Sequence, residues 1–190
     1  PLFYPYYEML DEQGKHLYRQ IYANANALTG AFAPVEEVGA AKLKTVFEAV
    51  YNDHPELFWM ETAYYGKYRR DGRCVEIDLR FNRTAQNLEA SKAVFQENAD
   101  SIRNQASALS SDYEKEKLVH DILIDRITYN LGAEMNQSAY SALVNGQTVC
   151  AGYARAFQYL LQQMGIPCYY CTGYAGESHA WNIIRLEDGF

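Results

Sequence analysis

The chain contains no run of about 18 apolar residues, which excludes a membrane-spanning helix. It carries no excess of positive charge: 17 Lys and Arg against 24 Asp and Glu leave a net charge of −7. A nucleic-acid binder needs a basic face to displace counterions, so nucleic acid is excluded as a partner. Only 4 cysteines occur in 190 residues, and Cys74, Cys150, Cys168 and Cys171 do not make a disulfide framework in a chain of this size. There is no internal repeat, low-complexity tract or flexible linker. No signal peptide is read in the sequence, and the first residue is Pro1 rather than Met, as in a processed product or an excised piece of a longer chain. An extracellular or cell-surface location is the expectation if an export signal has been removed.

What is present is the composition of a folded globular protein, 48% hydrophobic and 22% charged, enough for one sizeable domain or one core with a subdomain. Residues 15–28 place Leu17, Tyr18, Ile21, Tyr22, Ala25 and Leu28 on one helical face. A second helix is expected to start at Pro34 and to run through Val38, Leu43, Val46, Phe47 and Val50, until Asn52-Asp53-His54-Pro55 stops it. Phe58 to Tyr65 and Arg73 to Phe81 read as strands, the latter alternating Val75, Ile77, Leu79 and Phe81 with charged residues, and joined by a loop containing Asp71-Gly72. Residues 1–83 therefore read as an N-terminal α/β subdomain of unassigned role, with two helices on a short antiparallel sheet.

Residues 84–190 read as a second body. A long helix over 84–109 carries a core-facing stripe of Leu88, Phe95, Ile102 and Leu109. Another begins near Ser111-Asp112, with Glu114 in its first turn, and buries Leu118, Val119, Ile122 and Ile127. A third begins at Cys150 and stops at Gly165 and Pro167. Tyr169 to Tyr174 and His179 to Leu186 are expected strands, and Glu187-Asp188-Gly189 a hairpin turn. The fold class is α+β, with helices packed on antiparallel sheet.

The chemistry concentrates in Gly146-Gln147-Thr148-Val149-Cys150-Ala151-Gly152-Tyr153-Ala154 and, 29 residues after Cys150, in His179-Ala180-Trp181-Asn182. A thiol becomes a nucleophile near neutral pH when positive potential lowers its pKa and a base takes its proton. Making the thiolate dominant at pH 7 requires a shift of about two units, roughly 2.7 kcal/mol. A helix N-terminus contributes about 0.3–1 kcal/mol, or about 2 where partly buried, so an imidazolium partner must supply the rest. His179 is the candidate, because it opens a strand after the loop Tyr174 to Ser178, where side chains are displayed. Trp181 shares its face and can wall it from water. His16, His54 and His120 read as solvated or structural histidines.

Together with Ala139-Tyr140-Ser141-Ala142-Leu143, Gly165-Ile166 and Thr172-Gly173, these segments resemble the bacterial transglutaminase-like superfamily, which is related in fold to the papain-like cysteine proteases. The resemblance covers roughly 113–190, including the helix Leu118 to Tyr129, and residues 1–83 carry no motif of the family. It implies a transglutaminase-like core with Cys150 as the catalytic nucleophile at a helix N-terminus and His179 as the base. It also implies a third, acidic residue on the strand after the hairpin; since Asp188 sits in the turn, that acid is expected beyond Phe190, with the C-terminal strands of the core.

The backbone amide of Cys150 is the first candidate oxyanion donor. Tyr140 is the side chain to test as a second and Gln147 a weaker one. Asn182 points away from the face of His179 in a regular strand and is assigned no catalytic role. Cys168-Tyr169-Tyr170-Cys171 has the spacing of a metal or redox pair. However, it lies in a strand, where positions three apart face opposite ways, and no further ligands stand nearby. It reads as packing. The expected function is cysteine-dependent acyl transfer or hydrolysis on peptide or protein amides, without cofactor or metal, with peptidase or amidase action no less expected than cross-linking. The alternative is a non-catalytic binding or cell-surface module that retains the fold.

Overall fold

The structure, a computed structural model, describes residues 2–174 and 176–190. It divides into two compact units, Tyr4–Gln86 and a second comprising Asn87–Phe190 with the chain up to Phe3.

In the first unit, α1 (Pro5–Glu8) and α2 (Glu12–Asn26) precede a two-residue strand β1 (Ala31–Phe32), α3 (Ala40–Asp53), β2 (Met60–Tyr68) and β3 (Cys74–Phe81). Asp11 caps α2 by accepting from the Gly14 amide at 2.8 Å, which satisfies one of the amides a helix start leaves open. Leu17, Tyr18, Ile21 and Ala25 form its buried face. The sheet order is β1-β3-β2, all antiparallel. The helix expected from Pro34 starts instead at Ala40. The intervening backbone is spent on tertiary contacts: the Val38 carbonyl accepts from Cys74 at 2.8 Å, and the Val35 amide donates to Gln20 Oε1 at 2.8 Å. At the end of α3 the carboxylate of Asp53 is fully buried. It accepts from the amides of Tyr6 and Tyr7 and from the Tyr18 hydroxyl, so it holds the start of α1. Burial raises its pKa even so.

The second unit contains α4 (Leu88–Ser107), α5 (Asp112–Arg126), β4 (Thr128–Tyr129), β5 (Gln147–Thr148), α6 (Cys150–Gln163), β6 (Cys168–Tyr174) and β7 (Ser178–Ile184). On α4 the residues Leu88, Phe95, Ala99, Ile102 and Ala106 are buried; two alanines join the stripe read from the sequence, while Leu109 lies past the end of the helix and is only half-buried. α5 opens with a reciprocal capping box: Ser111 Oγ accepts from the Glu114 amide at 3.1 Å while the Glu114 carboxylate accepts from the Ser111 amide at 3.3 Å. α6 ends where Gly165 adopts φ +73°, a left-handed turn that closes helices at low steric cost. β6 and β7 form an antiparallel hairpin with Tyr170 opposite Asn182 and Gly173 opposite His179. This is an α+β fold, with helices carrying most of the core.

Candidate active site

The segment that delivers Cys150 is held by short contacts from residues distant in sequence. β4 pairs in parallel with β5, Thr128 opposite Gln147 and Tyr129 opposite Thr148. The Gly146 carbonyl accepts from Thr128 and the Thr148 carbonyl from Asn130, both at 2.9 Å. A single π-helical turn, Ser141–Asn145, ends in Gly146 at φ +68°, a backbone state that disfavours side chains with a β-carbon. The buried hydroxyl of Thr148 donates to the Asn136 carbonyl at 2.9 Å and lies 2.7 Å from Ser141 Oγ.

Gly152 explains why the first turn of α6 can sit so low on this loop. A β-carbon there would collide with Thr148 Oγ1 and come within 2.9 Å of the Asn136 carbonyl oxygen. The residue two places after the cysteine must therefore be glycine for the turn to pack as it does. Val149 is the N-cap of α6, no side chain caps the helix, and no acidic residue stands in its first turn. The first amides of α6 keep their partial positive charge without a side-chain acceptor, beside the half-buried sulfur of Cys150.

Cys150 opens onto a groove of about 400 Å³. Its walls come from three elements: Leu123 and Ile124 of α5, Tyr153 and Phe157 of α6, and Ala180 to Asn182 with Ile184 of β7. Glu116 and His120 line it from the earlier turns of α5. The phenol of Tyr153 donates to the Ile127 carbonyl at 2.7 Å, which joins the end of α5 to the start of α6, and burial raises its pKa. α6 and β7 run in the same direction, and Asn182 Nδ2 donates to the carbonyls of Ala154, 3.0 Å away, and Tyr169, 3.3 Å away.

His179 stands at the same end of these elements as Cys150. It precedes Asn182 by three residues, about 10 Å of strand, while Cys150 precedes Ala154 by four, about 6 Å of helix. The two side chains are not in contact as hydrogen-bond partners, however. Asn182 turns toward α6, and His179 is exposed on the opposite face of the hairpin, its Nε2 lying 3.6 Å from Glu177 Oε1. Trp181, two residues on, borders the groove and lays its ring against Gly173, the residue opposite His179.

The other residues singled out from the sequence separate clearly. Tyr140 is buried, its ring parallel to that of Phe95 at 6.5 Å, and does not line the groove. Gln147 is exposed and accepts from Asn130 Nδ2 at 2.7 Å. Asp188 is exposed in the turn closed by the Leu186–Gly189 bridge. Cys168 is fully buried and Cys171 only partly; burial pushes the Cys168 thiol up to about 12. No group of three or more possible metal ligands occurs among the described residues. His120 and Glu116 are the groove residues that the sequence did not reveal. Their signal was the four-residue spacing of Glu116, His120 and Ile124, which puts all three on one face of α5.

Residues 99–190 match the model of the Transglutaminase-like superfamily. No curated protein matches the chain significantly. Among solved structures, a candidate cysteine protease from Cytophaga hutchinsonii aligns over 66% of this chain and 58% of its own, at 17% identity and a TM-score of 0.41. A structure described as a TGase aligns over 83% of this chain and 47% of its own, at 13% identity and a TM-score of 0.44. This chain thus spans about half the length of each structure it resembles. The segment that supplies α5, the β4–β5 ladder, Cys150 at the head of α6 and the His179 hairpin is the part of the chain that matches the transglutaminase-like superfamily.

Proposed function

We propose that this domain performs cysteine-dependent acyl transfer on peptide or protein amides, with Cys150 as nucleophile and His179 as the proton-transferring base. The observation that carries the reading is the position of Cys150: first residue of an uncapped helix, half-buried, and open to a groove large enough for a side chain and its backbone.

In this mechanism the Cys150 thiolate attacks the amide carbonyl carbon, and a C–S bond forms as charge moves to the carbonyl oxygen. The Cys150 amide at the helix start donates to that oxygen. The C–N bond then breaks while the His179 imidazolium gives its proton to the leaving amine. Water or a second amine attacks the resulting thioester, His179 removes the proton of that nucleophile, and the thiolate leaves. The pairing requires the hairpin end to turn toward α6. His179 is suited to this by its exposure and by Gly176 in the adjoining turn, where φ is +81°.

Alkylation of Cys150 by iodoacetamide between pH 5 and 9 tests the proposal. Rapid labelling near pH 6 that His179→Ala slows at least tenfold supports a thiolate–imidazolium pair. Labelling that rises only along an ordinary thiol titration, about pH 8.5, and ignores His179→Ala rejects it. That outcome favours the second reading, a binding module that retains the fold, which rests on the hydrogen bond that Cys150 and His179 do not make.

A further inference from the structure

We infer that the groove beside Cys150 selects its substrate: a peptide segment with a large apolar side chain near the reacting carbonyl and a cationic side chain farther along, held by Glu116. The inference rests on Cys150 being the nucleophile for the orientation of the substrate, and on the groove itself for its chemistry.

The groove has two chemically distinct ends. α5 runs toward Cys150, as the Tyr153–Ile127 hydrogen bond shows, whereas α6 and β7 run away from it. Ile124, Tyr153 and Ala180 therefore lie at the thiol end, and Glu116, Phe157 and Ile184 at the far end. Glu116 and Ile124 are eight residues apart, about 12 Å along α5. Ala180 and Ile184 are four apart, about 13 Å along β7. That length accommodates an extended segment of three or four residues.

Apart from His120 and Asn182 the walls between the ends are apolar or aromatic, so a bulky apolar group gains by leaving water there. Glu116 is the carboxylate that lines the groove, and it is half-buried. No cation among the described residues pairs with it, although Asp112 one turn earlier holds Lys115 at 3.8 Å. His120 stands between Glu116 and the thiol, its Nδ1 3.3 Å from Asp121 Oδ1. An unpaired carboxylate at the end of an apolar trough is complementary to an ammonium or guanidinium on an aliphatic stem. With a net charge of −7, the wider field favours the same sign of ligand.

Three iodoacetamides with one phenylalkyl spacer, ending in an ammonium, a hydroxyl or a carboxylate, test this on the intact chain. Each alkylates Cys150 by displacing iodide, so the rates report groove binding without requiring turnover. All three should outpace iodoacetamide itself, and the ammonium reagent should lead the carboxylate reagent by about fivefold, the range of a partly exposed ion pair. Glu116→Gln should erase that difference, Glu116→Lys should invert it, and 1 M salt should shrink it. Equal rates for the three tails, or a preference that survives Glu116→Gln, would overturn the inference. So would a labelling rate that falls as protein concentration rises, because a second copy of the chain would then occupy the groove. A tail preference that persists while His179→Ala leaves the pH profile unchanged would keep the groove assignment and reject the catalytic one. The reverse pattern would do the opposite.

Discussion

Asn182 on β7 donates from Nδ2 to the carbonyl of Ala154, 3.0 Å away and one turn into the helix that Cys150 opens. Because it also donates to Tyr169 at 3.3 Å, a single amide ties both strands of the hairpin to α6. That side chain sets the distance between the histidine strand and the cysteine helix without touching either functional group.

Replacing Asn182 with Ala should lower stability by about 1–2 kcal/mol, the cost of losing a partly buried hydrogen-bond donor shared by two carbonyls. Amide exchange should accelerate across β6 and β7 more than in α4. Exchange that rises equally everywhere would show that the tie is not local.

Gly152→Ala sets two effects against each other. Alanine improves helix propensity by about 1 kcal/mol, but the added carbon strikes Thr148 Oγ1 and crowds the Asn136 carbonyl. Overpacking of this kind costs about 1–3 kcal/mol, so the variant should be less stable. Thr148→Ala should partly restore it, since it removes the nearer obstacle. A Gly152→Ala protein that unfolds at a higher urea concentration than the parent would contradict this packing.

Acid should weaken the start of α5. Glu114 is held below the usual carboxylate range, first by the Ser111 amide and then by the Ser110 hydroxyl. Glu187 is lowered as well, first by its own backbone amide and then by the Asp112 amide, which donates to it at 2.5 Å. A depressed folded pKa stabilises above the unfolded value, 4.5, and that contribution is lost as pH falls through the folded value. Asp53 has the opposite sign: its folded pKa is raised, so its contribution is present at low pH and lost as pH rises through that value. Urea midpoints measured from pH 6 to 3 should fall less steeply for Glu114→Ala than for the parent. For Asp53→Asn they should fall more steeply.

The thiols should label in a fixed order in the folded protein. Cys150 is half-buried at a helix start, whereas Cys168 is fully buried with its thiol pushed up to about 12. Mass spectrometry after brief alkylation at pH 8 should find Cys150 modified and Cys168 untouched, and unfolding in urea should equalise them. Modification of Cys168 at a comparable rate would mean that the hairpin opens freely.

Long periodic segments were legible from residue order alone. The stripe on α4, the Ser111–Glu114 box and the start of α6 at Cys150 all follow from local rules that need no tertiary partner. The failures lie where distant residues decide. β1 is two residues long, too short to display a period, and Pro34 to Gly39 is drawn into contacts with β3 and α2 rather than into α3. His120 is exposed beside Asp121, as its charged neighbours suggest; that it also lines the groove beside Cys150 depends on how α5 meets α6. His179 lies in a strand, as its surroundings in the sequence suggest, but that the face carrying Asn182 is the one turned to α6 depends on a tertiary contact.

The two-residue ladder of β4 and β5 has a mechanical consequence. It couples the exit of α5 to the entry of α6 directly, so the wall of the groove and the thiol at its end travel as one piece. Within the segment bulging out between them, Asn136 and Ser141 are tied to Thr148, whereas the exposed turn near Gly132 stands outside those ties. Lengthening the exposed turn near Gly132 should therefore leave the sulfur where it is, whereas displacing Thr128 or Thr148 by a single register step would move it.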